Sequence, residues 1–172
     1  MPKSRARSPL AAVLWSTVFA LPACSGGGGG GGSTPLDATV YTGTWTGTWT
    51  NTTFSSTGAV TVTVTENMGV FTLMFDMDGN VFGGSNPAAE TFTATIDTNR
   101  ATLNAVTSTT YGSLTGTLNG NGTLSASGTA IPGSVDRFTL TGTWNATTIT
   151  ANVTISFDAG GSANGTATLT KM

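Results

Sequence analysis

The chain has 172 residues; 8% are charged, none is histidine, and Cys24 is the single cysteine. Those counts exclude a Ser-His-Asp triad, an imidazole zinc site, an internal disulfide and a CxxC redox pair. From Cys24 onward eight acidic side chains stand against three basic ones (Arg100, Arg137 and Lys171), a net charge of −5. That sign argues against nucleic acid as a partner, because phosphate binding needs a Lys/Arg footprint.

Residues 1–23 read as a secretory signal. Lys3, Arg5 and Arg7 make a basic start, and Leu10–Ala20 is an apolar run broken only by Ser16 and Thr17. The run is too short for a membrane span of roughly 20 residues and fits the apolar region of a signal peptide. The tetrapeptide Leu21-Pro22-Ala23-Cys24 resembles the lipobox of bacterial lipoproteins. In that family the cysteine is diacylated through sulfur, the signal is removed before it, and the new amine is acylated. The resemblance implies lipidation at Cys24 and a membrane partner through the anchor. Ser25, where an aspartate would signal inner-membrane retention, implies the outer membrane of the bacterial envelope. Multiple acyl chains hold a protein on a bilayer where one chain binds only marginally.

Residues 24–35 carry seven consecutive glycines, Gly26–Gly32, and form a tether. Such a chain is a random coil with a root-mean-square span of roughly 17–20 Å. No strand precedes these glycines and no GK[ST] follows, so they are not a phosphate loop.

Residues 36–172 form one domain, and almost every segment of it alternates apolar residues with threonine, the period of a half-buried strand. On the first strand Tyr41, Gly43, Trp45, Gly47 and Trp49 share a face. Val60, Val62 and Val64 follow, then Phe71, Leu73, Phe75 and Met77, then Phe92, Ala94 and Ile96. Leu114–Leu118, Leu124–Gly128, Phe138–Trp144, Ile149–Phe157 and Gly165–Leu169 complete the series. Turn signals fall between, at Glu66–Gly69, Asp78–Asn80, Asp97–Asn99, Asn119–Gly122, Asn145–Thr147 and Asp158–Gly161. Asp-Gly and Asn-Gly suit hairpin turns with positive φ. Short links make sequential strands antiparallel, so the chain is all-β, a meander of 8–10 strands. A closed up-and-down barrel and a two-sheet β-sandwich both fit one apolar and one threonine face. Closure is favoured because the chain has few edge-protecting lysines or prolines.

Three echoes, Tyr41–Trp45, Leu114–Leu118 and Leu140–Trp144, repeat an x-Thr-Gly-Thr-x strand without a fixed period, so a solenoid is not expected. Their inward glycines allow close backbone approach and sharp coiling.

Thr46-Gly47-Thr48-Trp49-Thr50-Asn51 resembles the opening strand of streptavidin and its avidin relatives, in which an Asn and a following Ser contact the ureido oxygen of biotin. Asn51 and Ser55 hold those positions. The GxW element is also similar to the start of lipocalins, whose tryptophan plugs one end of a ligand-holding barrel. Both resemblances imply an up-and-down barrel. Later tryptophans of the avidin pocket are missing save Trp144, so the expected cavity is a generic one that takes a small apolar molecule. Its candidate lining is Trp45, Trp49, Phe71, Phe75 and Trp144, with Asn51 fixing orientation. A solid core on a structural or adhesive surface module is the alternative.

No cofactor and no catalytic residue is expected, since eight scattered acids offer no facing carboxyl pair for glycosidase chemistry. Asp76-Met77-Asp78-Gly79-Asn80 resembles the start of a calcium loop, but the place of the closing bidentate acid falls at Pro87 or Ala88. A hairpin turn accounts for the same residues. No metal site is expected, and no protein partner is indicated.

Overall fold

The computed structural model describes residues 33–172. The signal segment 1–23, the lipidation candidate Cys24 and the glycines of the tether lie outside the described residues. Ten strands follow in order: β1 (Gly43–Asn51), β2 (Ser56–Asn67), β3 (Val70–Met77), β4 (Glu90–Asp97), β5 (Arg100–Ser108), β6 (Gly112–Asn119), β7 (Thr123–Thr129), β8 (Val135–Trp144), β9 (Thr148–Phe157) and β10 (Ser162–Lys171). Each pairs antiparallel with its neighbours in sequence, and β1 pairs with both β2 and β10. Trp45 stands opposite Val62 on one side and Lys171 on the other. The sheet therefore closes as an up-and-down barrel, and the sandwich alternative falls. All ten strands of the closed barrel lie within the described residues.

Alternation sets the two faces. Trp45, Trp49, Val60, Val62, Val64 and Phe71 are buried inside, and the threonines between them turn out. The register brings these outer residues into rows. One row runs from Thr95 through Thr102, Thr117, Ser125, Thr141, Asn152, Thr166 and Thr50 to Thr57, one residue on each of nine successive strands. Cross-strand Thr pairs of this kind stabilise a sheet without charge.

Two inward glycines show why the barrel coils so tightly. A Cβ at Gly47 would strike the carbonyl oxygen of Thr168 and lie 2.7 Å from Leu169 Cα. One at Gly142 would strike the carbonyl of Thr150 and lie 2.9 Å from Ala151 Cα. Only hydrogen fits where neighbouring strands approach this closely.

Two features depart from the sequence pattern. The strand β5 has no clean alternation because its pairing with β6 shifts between Leu103 and Val106, leaving a bulge at Asn104 and Ala105, the latter at φ 44°. Asp78-Gly79-Asn80 does not close a tight hairpin: it opens a long loop, residues 78–89, between β3 and β4.

The interior holds two packed clusters. At one end the turns β2–β3, β4–β5, β6–β7 and β8–β9 gather with the chain's entry; at the other lie the turns after β1, β3, β5, β7 and β9. The entering chain adds one helical turn, α1 (Ala38–Tyr41), whose N-cap Asp37 accepts from the Thr39 N–H at 3.0 Å. The Leu36 N–H bonds the Thr98 carbonyl at 3.1 Å and lays this segment across the first end.

Candidate functional site

The closed end is a stopper. Trp45 is fully buried, and its indole N–H donates to the Tyr41 carbonyl at 3.0 Å. Trp144 meets Trp45 edge-to-face at 5.3 Å and Tyr41 at 5.6 Å, while Phe71 packs on Tyr41 at 6.4 Å. Lys171 covers the arrangement from the last strand: its ammonium donates to the Val40 carbonyl at 3.0 Å and lies 5.2 Å from the Trp45 ring centre. A cation over an indole face is favourable. Trp45, Phe71 and Trp144 pack together in the core of this end, and none of them lines the cleft at the other end.

Trp49 marks the passage to the other end. Its indole N–H donates to the Asp78 carbonyl at 2.7 Å and so ties β1 to the neck of loop 78–89. A side chain at Gly58 would lie 2.5 Å from that nitrogen, and glycine there keeps the bond possible. Asn86 closes the neck from the far side. It accepts from the Gly79 N–H and donates to the Asp78 carboxylate at 3.2 Å. A loop with its ends tied together and its own side chains packed inward is an Ω-type loop. Its tip, Val81 and Phe82, packs into the open-end cluster, with the Phe82 ring stacked on Phe138 at 6.1 Å.

Beside this tip opens a cleft of about 360 Å³, lined by Asn51, Phe54, Ser56, Asn80, Val81, Phe82, Gly83, Ile155 and Phe157. Its volume falls within the range of small-molecule sites, which are mostly apolar with a few polar groups. Phe54 is 64% exposed and faces Phe157 at 6.2 Å, an apolar pair at the lip. Of the six ligand-binding candidates, Asn51 alone lines this cleft. Its Oδ1 accepts from the N–H groups of Thr53 and Phe54, both at 3.0 Å, so the carbonyl half of the amide shapes the β1–β2 turn. Ser55 is exposed at φ 55° and does not line the cleft that Asn51 lines. Phe75 is half-buried and touches both clusters.

Tyr111, Glu90 and the loop tip Val81-Phe82 at this end escape a sequence reading. Tyr111, at the β5–β6 turn, is 5% exposed, and its hydroxyl has no hydrogen-bond partner among the described residues. Burial pushes its pKa far up, and the charges of Glu90 and Asp76 push the same way. Glu90 accepts from the Thr110 N–H at 3.1 Å and from the Thr109 hydroxyl at 3.4 Å. Burial raises this carboxyl, but hydrogen bonds from Thr110, Ser108 and Thr109 outweigh it, holding the group below the ordinary glutamate value. The available signals are an apolar Val81-Phe82 pair inside a Gly/Asn/Ser-rich loop and a lone tyrosine before Gly112. Among the described residues no three His, Cys, Asp or Glu side chains cluster as metal ligands would.

No protein-family model matches the chain, and no curated protein is similar enough to count as a match. Solved structures do match. Rv2717c from M. tuberculosis has a TM-score of 0.58 at 11% identity, over 78% of this chain and 94% of that one. A DUF3598-family protein of unknown function from Nostoc punctiforme has a TM-score of 0.57 at 12% identity, over 81% of this chain and 50% of that one. At such identities the likeness concerns the fold alone.

Proposed function

We propose that this protein is a lipid-anchored lipoprotein of the bacterial envelope, non-enzymatic, whose barrel takes up a small, mainly apolar molecule through its open end. The carrying observation is the asymmetry of the ends: one is stoppered by tryptophans, and the other has a 360 Å³ cleft with aromatic walls. Apolar burial supplies affinity, and the amides of Asn51 and Asn80 supply orientation. The described chain enters the barrel at the stoppered end, opposite the cleft.

Native mass spectrometry of residues 33–172 tests the binding half. An adduct of defined mass, lost on denaturation, is expected after exposure to an envelope lipid extract; a bare protein mass would count against it. The anchor half predicts that full-length protein incorporates radiolabelled palmitate and that Cys24→Ala does not.

A second reading has its own observation. A shallow groove of about 390 Å³ lies on β5–β8 and is rimmed by neutral hydroxyls, among them Thr102, Thr115, Thr117, Ser125 and Thr139. An adhesive module would use such a face against another macromolecule. Thr117→Lys would then abolish surface attachment and leave the mass adduct unchanged.

A further inference from the structure

A buried phenol with no partner is a cost that folded proteins avoid. The Tyr111 hydroxyl is such a group, and Trp144 Nε1 is the other among the described residues. The two differ in setting. Trp144 is enclosed by Trp45 and Tyr41 in the stoppered end. The Tyr111 ring is ringed by Phe75, Phe82 and Phe92, with centres at 5.6, 6.0 and 6.4 Å, all edge-on. Phe82 is also a wall of the cleft. One side chain, carried on a loop tip, thus both lines the cleft and packs on the Tyr111 ring. The loop's neck is held by Trp49 and Asn86 through bonds that do not involve its tip.

Charge decides what kind of acceptor belongs there. Asp76, Asp78, Glu90, Asp136 and Asp158 stand at the open end, and the single base among the described residues there is the exposed Arg137. An anionic headgroup would pass a rim of net charge −4 and settle near the Glu90 carboxylate without a cation to meet it. Like charges in a partly dry site repel.

We propose that the Tyr111 hydroxyl is the hydrogen-bond donor of the ligand site, reached when Val81 and Phe82 withdraw, and that the ligand is a neutral apolar molecule bearing a carbonyl- or hydroxyl-type acceptor. The proposal rests on the ligand-binding reading above and specifies its headgroup.

The test uses residues 33–172 and the neutral fluorescent probe N-phenyl-1-naphthylamine, displaced by 2-undecanone or by decanoate. The expected result is probe binding, with the ketone displacing it at least tenfold more effectively than the carboxylate. Tyr111→Phe is expected to bind the probe as before, melt at or above the native temperature and lose the ketone preference. Equal competition by decanoate, or an unchanged preference in Tyr111→Phe, overturns the proposal while leaving the ligand-binding reading intact. No probe binding by the native barrel overturns both. Phe82→Ala keeps Tyr111 in place and serves if Tyr111→Phe does not fold. Ketone association several-fold faster is expected there, and an unchanged rate overturns the gating by Phe82.

Discussion

The two ends of this barrel are built from the same strand pattern and packed differently. At the closed end three large aromatic rings and Tyr41 interlock edge-to-face, two of the three nearby cross-end polar groups are satisfied by backbone carbonyls, and a lysine covers the outside. At the open end the rings are phenylalanines around an unpaired phenol, the connecting loop is long, and the rim carries carboxylates. The first arrangement encloses its one unmet group, the Trp144 indole N–H, among packed rings and holds the strands together. The second keeps an apolar surface within reach of solvent and a buried donor without an acceptor. On the proposed function, stability and binding fall to opposite ends of one sheet, which would let the binding end be suboptimal without unfolding the whole.

The largest test of that division is at the stopper. Trp45→Ala removes a fully buried ring, its bond to Tyr41 and the platform under Lys171. A loss of about 3–5 kcal/mol in urea unfolding is expected, with probe affinity at the open end unchanged in the molecules that stay folded. Next is Gly47→Ala. The added methyl meets the backbone of β10 rather than a mobile side chain, so the strands must separate. The expected cost is about 1–3 kcal/mol, again without a change in probe binding. If either substitution alters affinity more than stability, the ends are not independent.

The division was only half legible in the sequence. Period-two alternation and Asn/Asp-Gly turns reveal an antiparallel meander, because every residue reports its own face through its polarity. Closure is less direct: it depends on Trp45 and Thr46 meeting Lys171 and Thr170 far along the chain, and only scarce edge protection hints at it. The echoes Gly43-Thr44-Trp45 and Gly142-Thr143-Trp144 do bring two tryptophans together, but as a stopper and not as a pocket wall. A buried aromatic looks the same in sequence whether it fills a core or lines a cavity. The bulge in β5 hides a strand, since one extra residue flips the alternation. The site itself is set by loop 78–89, whose fold depends on tertiary bonds to Trp49 and from Asn86 that no local pattern encodes. Tyr111 and Glu90 are placed by that packing.

At the open end the expected effects are smaller and local. Trp49→Phe preserves the ring volume and deletes the bond to the Asp78 carbonyl. About 1 kcal/mol of global stability is expected to go, while hydrogen exchange in residues 78–89 speeds up far more than in β6 or β9. Uniform acceleration across the barrel would show that the loop is part of the global unit and not a separately opening one.

The smallest effect separates the ends by pH. Asp37 at the closed end and Glu90 at the open end both sit below their ordinary values, through bonds from Thr39 in the first case and from Thr110, Ser108 and Thr109, against burial, in the second. A carboxyl with a folded value below its unfolded one adds stability that is complete above the unfolded value and lost as pH falls through the folded value. The unfolded values are 3.8 and 4.5, so both contributions are intact at neutral pH and decline in the acid range below them. For the half-exposed Glu90 the contribution stays below about 1 kcal/mol because solvent screens it. Exchange followed amide by amide, downward from pH 5, resolves what a melting curve merges. The amide of Thr110 should lose protection as Glu90 takes up its proton, and that of Thr39 as Asp37 does. Glu90→Gln should abolish the acid-dependent part at Thr110 and leave Thr39 as it was. A matching change at Thr39 would mean that acid loosens the barrel as one body, and that the open end has no stability of its own to lose.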